Sequence, residues 1–109
     1  MTDARLPAAI QTFIDATNAA DSAAFAAAFT TDARLTDGGR EFHGRDGVRD
    51  WDRTDNIGVR AHFDLLSVRP GDGPDSHIVT LTVSGDGYNG TGTMRFDLRD
   101  GLIARLTIG

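Results

Sequence analysis

Asp37 is the residue of this chain best placed to do chemistry. It opens Asp37-Gly38-Gly39, and the chain then returns through Arg40 to His43. Glycines at such a turn supply positive φ. A carboxylate at the mouth of an apolar pocket is desolvated, which favours its protonated form. Such a group can take a proton next to a carbonyl near neutral pH, as a general base. His43, in the returning segment, is the candidate partner for an acid/base couple. Each residue has a plainer alternative. An aspartate before two glycines can simply accept its own turn's N–H groups, and His43 can be a polar residue at a rim.

Trp51 offers an indole N–H to a ligand oxygen, or anchors a helix in the core; both roles are compatible. Asp50, Asp52 and Asp55 with Arg49 and Arg53 read as a solvated helix face with pairs three and four apart. Asp55 and Asn56 come where that helix ends, so either can face a pocket. His43, His62 and His77 lack metal-ligand spacing, and no metal site is expected. Gly85-Asp86-Gly87-Tyr88-Asn89-Gly90 fits G-x-G-x-x-G, but a strand follows it where a pyrophosphate site needs a helix N-terminus. It reads as an inter-strand loop, with Tyr88 either over a pocket mouth or free in solvent. No serine occupies a nucleophile elbow.

These residues need elements to position them. Leu6, Ile10, Phe13, Ile14 and Thr17 recur at helical spacing, predicting a helix over 6–19 with Pro7 in its first turn. Asp21 is an N-cap for a second helix through Ala28, with Phe25, Ala28 and Phe29 on its inner side. Thr30-Thr31-Asp32 closes the helical region. Alternation predicts strands over 33–36 and 40–43, then a third helix over 44–53 with Val48 and Trp51 on one face. Val59, Ala61, Phe63 and Leu65 alternate, and Leu66 breaks the pattern as a bulge would. Val79, Leu81 and Val83 mark a further strand, as do Met94, Phe96 and Leu98. Asp100-Gly101 is a hairpin turn into a last strand over 102–108. Helices first and a long sheet after make an α+β protein, a single domain over 1–109.

Composition narrows the partners. The chain has 109 residues, no cysteine and a net charge of -5. Thiolate chemistry, disulfides and Cys-ligated zinc are excluded. Clustered positive charge is missing, so nucleic acid is not an expected partner. Every basic residue is arginine, and Glu41 is the lone acid that is not aspartate, the codon bias of a GC-rich, bacterial genome. The start, Met1-Thr2-Asp3-Ala4-Arg5, lacks the pattern of a signal peptide, and no apolar run is long enough to span a bilayer. A cytoplasmic protein is the expectation. Asn89-Gly90-Thr91 matches a glycosylation sequon that means little without secretion.

Asn18-Ala19-Ala20-Asp21, Phe29-Thr30-Thr31-Asp32-Ala33 and Phe42-His43-Gly44-Arg45-x-x-Val48-Arg49-x-Trp51, in this order of elements, resemble the SnoaL-like branch of the nuclear transport factor 2-like superfamily. The resemblance covers nearly the whole chain and is specific for fold rather than activity. It implies a cone: a curved, mostly antiparallel (mixed) sheet with three N-terminal helices around an apolar pocket. It also implies a homodimer through the outer sheet face and no cofactor. Against ketosteroid isomerases, Asp37 falls on the catalytic base. Phe13 falls on the oxyanion tyrosine, and Met94 on about the second aspartate. Neither can donate, so steroid isomerisation itself is not expected. The epoxide hydrolase acid would fall near Ile108, so that pattern fails too.

Two readings follow from the resemblance. One is a domain binding a small hydrophobic molecule, with Phe13, Phe29, Trp51, Asn56, Val79, Leu81, Met94 and Phe96 around the ligand. The other is a cofactor-free isomerase, polyketide cyclase or dehydratase using Asp37 as base, with His43 as partner and Trp51 or Asn56 replacing the missing donors. A cavity of about a few hundred Å³ with Asp37 on its wall suits either.

Overall fold

The computed structural model describes residues 6–109; the reading of Met1 to Arg5 lies outside the described residues. Two helices come first, α1 (Ala8–Asn18) and α2 (Ser22–Ala27). Pro7 is the N-cap of α1 rather than a first-turn residue, and its carbonyl accepts from Ile10 and Gln11 N–H. Asp21 caps α2 as its residue type predicts, accepting the Ala24 N–H at 3.1 Å. Strands β1 (Phe29–Asp37) and β2 (Arg40–His43) follow, then α3 (Gly44–Asp55), a 3₁₀ turn (Ile57–Val59) and four strands: β3 (His62–Pro70), β4 (Ser76–Ser84), β5 (Gly90–Arg99) and β6 (Leu102–Ile108).

The six strands form one open, mixed sheet in the order β2-β1-β6-β5-β4-β3. Only β1 and β6 run parallel. This long-range pairing explains why β1 starts at Phe29, earlier than the alternation over 33–36 predicts. Phe29 is in register with Ile103, and the Ala28 carbonyl accepts the Ile103 N–H. Thr30 to Asp32 therefore extend the strand instead of closing the helices. The bulge expected at Leu66 is present: Leu65 pairs with Leu81, and the next pair is Ser67 with Thr80. Asp100 and Gly101 both have positive φ, 55° and 80°, as a tight hairpin between right-twisted strands demands.

The helices cover one face of the sheet. Ile10, Phe13 and Ile14 of α1, with Phe25 of α2, pack onto Phe29, Leu35, Leu81, Phe96 and Leu106. Phe13 stands at the centre of an aromatic cluster, 5.2 Å from Phe25, 5.3 Å from Phe63 and 5.1 Å from Phe96 between ring centroids. Tilted, stacked and edge-on contacts of this kind add to simple burial. The other sheet face is polar: Arg34, Arg95, Asp97 and Arg105 line a shallow surface there.

The reversal from α3 into β3 is tight, and Gly58 is the most closely approached glycine among the described residues. A Cβ on Gly58 would lie 1.5 Å from the Arg53 carbonyl oxygen. Gly58→Ala is expected to cost about 1–3 kcal/mol or more, because backbone must move to relieve the overlap. A Cβ on Gly92 meets nothing within 4 Å, so Gly92→Ala should leave stability nearly unchanged. Urea midpoints at constant m-value check both.

Candidate functional site

Asp37 is the last residue of β1, and the two-glycine turn brings Arg40 directly opposite it in β2. Strand alternation sends Leu35 and Asp37 toward the helices. There the Asp37 carboxylate meets α3. Its Oδ2 accepts from Trp51 Nε1 at 2.9 Å and from Arg40 Nη2 at 3.0 Å. Trp51 is 4% exposed, so its N–H needs a partner, and the carboxylate supplies it. Asp37 is thus held by side chains rather than by its turn, and its Oδ1 has no hydrogen-bond partner among the described residues.

Arg40 reaches across to a second carboxylate. Its Nη1 and Nη2 donate to Asp55 Oδ2 and Oδ1 at 3.2 and 3.1 Å, a bidentate pair. Thr54 Oγ1 adds a bond of 2.7 Å to Asp55 Oδ2. Burial works against the ionised form of Asp55. The Arg40 and Thr54 hydrogen bonds and the guanidinium charge outweigh it, holding this carboxyl below its ordinary range. Arg40 is correspondingly pushed up, chiefly by its bond to Asp55.

Of these groups, Asp37, Trp51, Thr54 and Asp55 line a cavity of about 130 Å³. Its apolar wall is Trp51, Val59, Ala61, Phe63, Val83 and Met94; Asp37, Thr54, Asp55 and Asn56 supply the polar side. Gly87 and Tyr88 close the mouth. Tyr88 is 67% exposed, and its hydroxyl lies over Gly90, where a Cβ would come within 2.5 Å of it. Tyr88 therefore stands over the pocket while still facing solvent. The loop beneath it is tied by Asn89, whose side chain bonds Gly85 and Gly87. As the following strand implied, no helix N-terminus is there.

Of the residues anticipated around a ligand, Trp51, Asn56 and Met94 line this cavity together with Asp37. Phe13, Phe29, Val79, Leu81 and Phe96 do not. They are at most 1% exposed and fill the core behind it, with Phe63 stacked on Phe13. That packing also makes the hollow smaller than the few hundred Å³ anticipated. His43 does not reach Asp37. Its position in β2 is paired with Arg34, one register step out of phase with Leu35 opposite Phe42. Alternation therefore turns it to the outer face, where it lies 3.4 Å from Glu41. The expected Asp37–His43 couple is replaced by Asp37–Trp51 and Asp37–Arg40.

Arg40 was missed in the sequence, although a residue paired with Asp37 across a two-residue turn is readable there. Asp52 was also missed as a buried group. Arg53 makes an expected surface pair with Asp50, and Arg49 pairs with Asp46, but Asp52 is 3% exposed. Asn56 Nδ2 donates to Asp52 Oδ1 at 3.1 Å and to Thr17 Oγ1 at 2.9 Å, and the Thr17 hydroxyl in turn donates a hydrogen bond to the Phe13 carbonyl. This fixes Asn56 beside the cavity. Its Oδ1 is buried without a partner among the described residues. Three or more His, Cys, Asp or Glu side chains arranged for a metal ion do not occur among the described residues.

The sequence model of the SnoaL-like domain matches residues 10–106. No protein of curated function matches the chain in sequence. A candidate polyketide cyclase from Sinorhizobium meliloti is similar in structure, with TM-score 0.85 and 30% identity over 95% of both chains. A Mycobacterium tuberculosis protein in complex with estradiol-17β-hemisuccinate is similar at TM-score 0.80 and 18% identity, over 94% of this chain and 92% of that one. A computationally designed 17-OHP binder is similar at TM-score 0.81 and 20% identity, over 95% and 90%. The last two likenesses concern the fold alone.

Burial pushes the Asp52 carboxyl above its ordinary range, against hydrogen bonds from Asn56, Ile57 N–H and Ser22 that favour the anion. For an acid whose folded pKa is raised, the contribution to stability is full below the unfolded value and is lost as pH rises through the folded one. Asp52→Asn keeps an acceptor for Asn56 and removes the charge. The stability of wild type relative to this variant should fall as pH rises from about 3 to 7, read from urea unfolding at each pH. A difference that stays flat contradicts the assignment. With its sequence matched from residue 10 to residue 106, the chain belongs to the SnoaL-like domain family.

Proposed function

We propose that this chain is a small-molecule-binding SnoaL-like domain whose cavity takes a compact, mainly apolar ligand against Asp37. The observation that carries this reading is the hollow beside the Asp37–Trp51 pair, about 130 Å³ and walled mostly by apolar side chains. An engineered apolar cavity of about 150 Å³ binds benzene, so a ring-sized group is the natural occupant. Ligands named for the similar structures, a steroid hemisuccinate and 17-OHP, are larger. By analogy a bigger molecule would leave part of itself outside the mouth beside Tyr88. No cofactor is invoked. Pairing of two copies through the outer sheet face is what the resemblance adds, and a bacterial cytoplasm is what composition and the N-terminal sequence suggest.

The second reading is a cofactor-free acid/base enzyme acting on a carbonyl compound, as the name of the Sinorhizobium meliloti protein invites. One observation favours it: Asp37 lines a cavity with apolar walls, and one of its oxygens has no partner among the described residues. In this reading Asp37 takes the proton next to the carbonyl and returns it elsewhere. His43, on the outer face, has no part in it. The oxyanion would need a donor, and Trp51 N–H is already committed to Asp37.

Trp51 is the single tryptophan, so its emission and indole N–H signal report the cavity directly. Titration with toluene should shift both saturably, and replacing Ala61 by Leu to fill the wall should abolish the response. For the enzyme reading, cyclohexanone in D₂O should exchange its α-protons faster with the protein present. Asp37→Asn should then lose about 100-fold or more of that rate. Saturable binding without exchange leaves the binding domain alone.

A further inference from the structure

The polar groups around the cavity do not form a neutral set. Asp37 and Asp55 share the single guanidinium of Arg40, so two carboxylates face one cation and one negative charge is left over. The side-chain donors on the inner wall are committed as well; Tyr88 O–H, at the exposed mouth, is not. Trp51 N–H goes to Asp37, Thr54 O–H to Asp55 or the Asp50 carbonyl, and the Asn56 amide to Thr17 and Asp52. The uncommitted side-chain atom on the inner wall is an acceptor, Asp37 Oδ1; Asn56 Oδ1 also lacks a partner among the described residues but is fully buried. An incoming carbonyl or carboxylate finds no free side-chain donor on that inner wall, only Tyr88 O–H at the rim. An incoming N–H or O–H finds an anionic acceptor beside the rings of Trp51, Phe63 and Tyr88, and aromatic faces also attract organic cations.

We infer that the ligand of this cavity is a small apolar amine bound as its ammonium ion, with its ring-sized body on the Phe63–Met94 wall and its nitrogen at Asp37. This rests on the binding reading above and specifies the class of ligand. A charge-assisted hydrogen bond to a partly buried carboxylate is among the stronger polar contacts. It adds to the apolar burial that any ring of this size gains, whereas an anion of the same shape meets repulsion.

The test is a matched series titrated into the labelled full chain, followed at the Trp51 indole N–H: benzylamine, toluene and benzoate. Benzylamine should bind about tenfold or more tighter than toluene, and benzoate should not compete. Asp37→Asn should erase the advantage of benzylamine over toluene. Added salt should weaken benzylamine in the wild type and leave toluene unchanged, a readout that does not depend on the variant folding. If toluene binds and benzylamine binds no tighter, the amine inference is overturned and the binding reading stands. If none of the three perturbs Trp51, both are overturned.

Discussion

The hydrogen bond from the Trp51 indole to the Asp37 carboxylate holds this structure's functional end together. It joins the last residue of β1 to the buried face of α3, and so decides how far the helix stands from the sheet. Indole N–H groups in a protein interior must find an acceptor, and leaving one unmet costs about 1–3 kcal/mol. Here the acceptor is charged, which strengthens the bond and brings a second demand: the carboxylate needs a counter-charge. Arg40 meets it from the paired position in β2, and because Arg40 also grips Asp55, the end of α3 is tied to the same point. One buried N–H thus fixes a strand end, a hairpin and a helix terminus around one hollow.

The floor of that hollow depends on a different kind of constraint. The chain leaves α3, reverses through a 3₁₀ turn and enters β3 within a few residues, and Asn56 manages the reversal. Its carbonyl accepts from Val59 and Ala61 N–H, and its amide group reaches Thr17 in α1. Buried polar groups are tolerated where such bonds are made. Asp52 carries the burden of burial, since a desolvated carboxylate is held in place chiefly to accept from Asn56 and the turn beyond it. Stability near this site is therefore traded for position, as is common where backbone and polar groups surround a binding cavity.

Much of the architecture was readable from residue order. Asp21 as a cap, Leu66 as a bulge and Asp100-Gly101 as a hairpin each rest on local chemistry, and local chemistry survives folding. The start of β1 was not readable because it depends on pairing with β6, at the far end of the chain. The site was half legible. Asp37, Trp51 and Met94 were within reach of pattern and resemblance. Asp52 was hidden by its type: it shares the helical spacing of Val48 and Trp51, which marks the buried face, yet charge argued for solvent. Val59, Ala61, Phe63 and Val83 were assigned to strands without a cavity, because where a sheet stops packing and leaves space is a property of three dimensions. His43 was misplaced by counting sequence distance to Asp37 rather than the alternation of β2.

Hydrogen exchange at the Trp51 indole N–H tests the central claim most directly. A proton held by the Asp37 carboxylate in a nearly closed wall should exchange slowly and resonate downfield of free indole. Asp37→Leu should accelerate its exchange while the backbone amides of β4 and β5 stay protected. An indole proton that exchanges at the rate of free tryptophan in the folded wild type, at an unshifted frequency, would contradict the account.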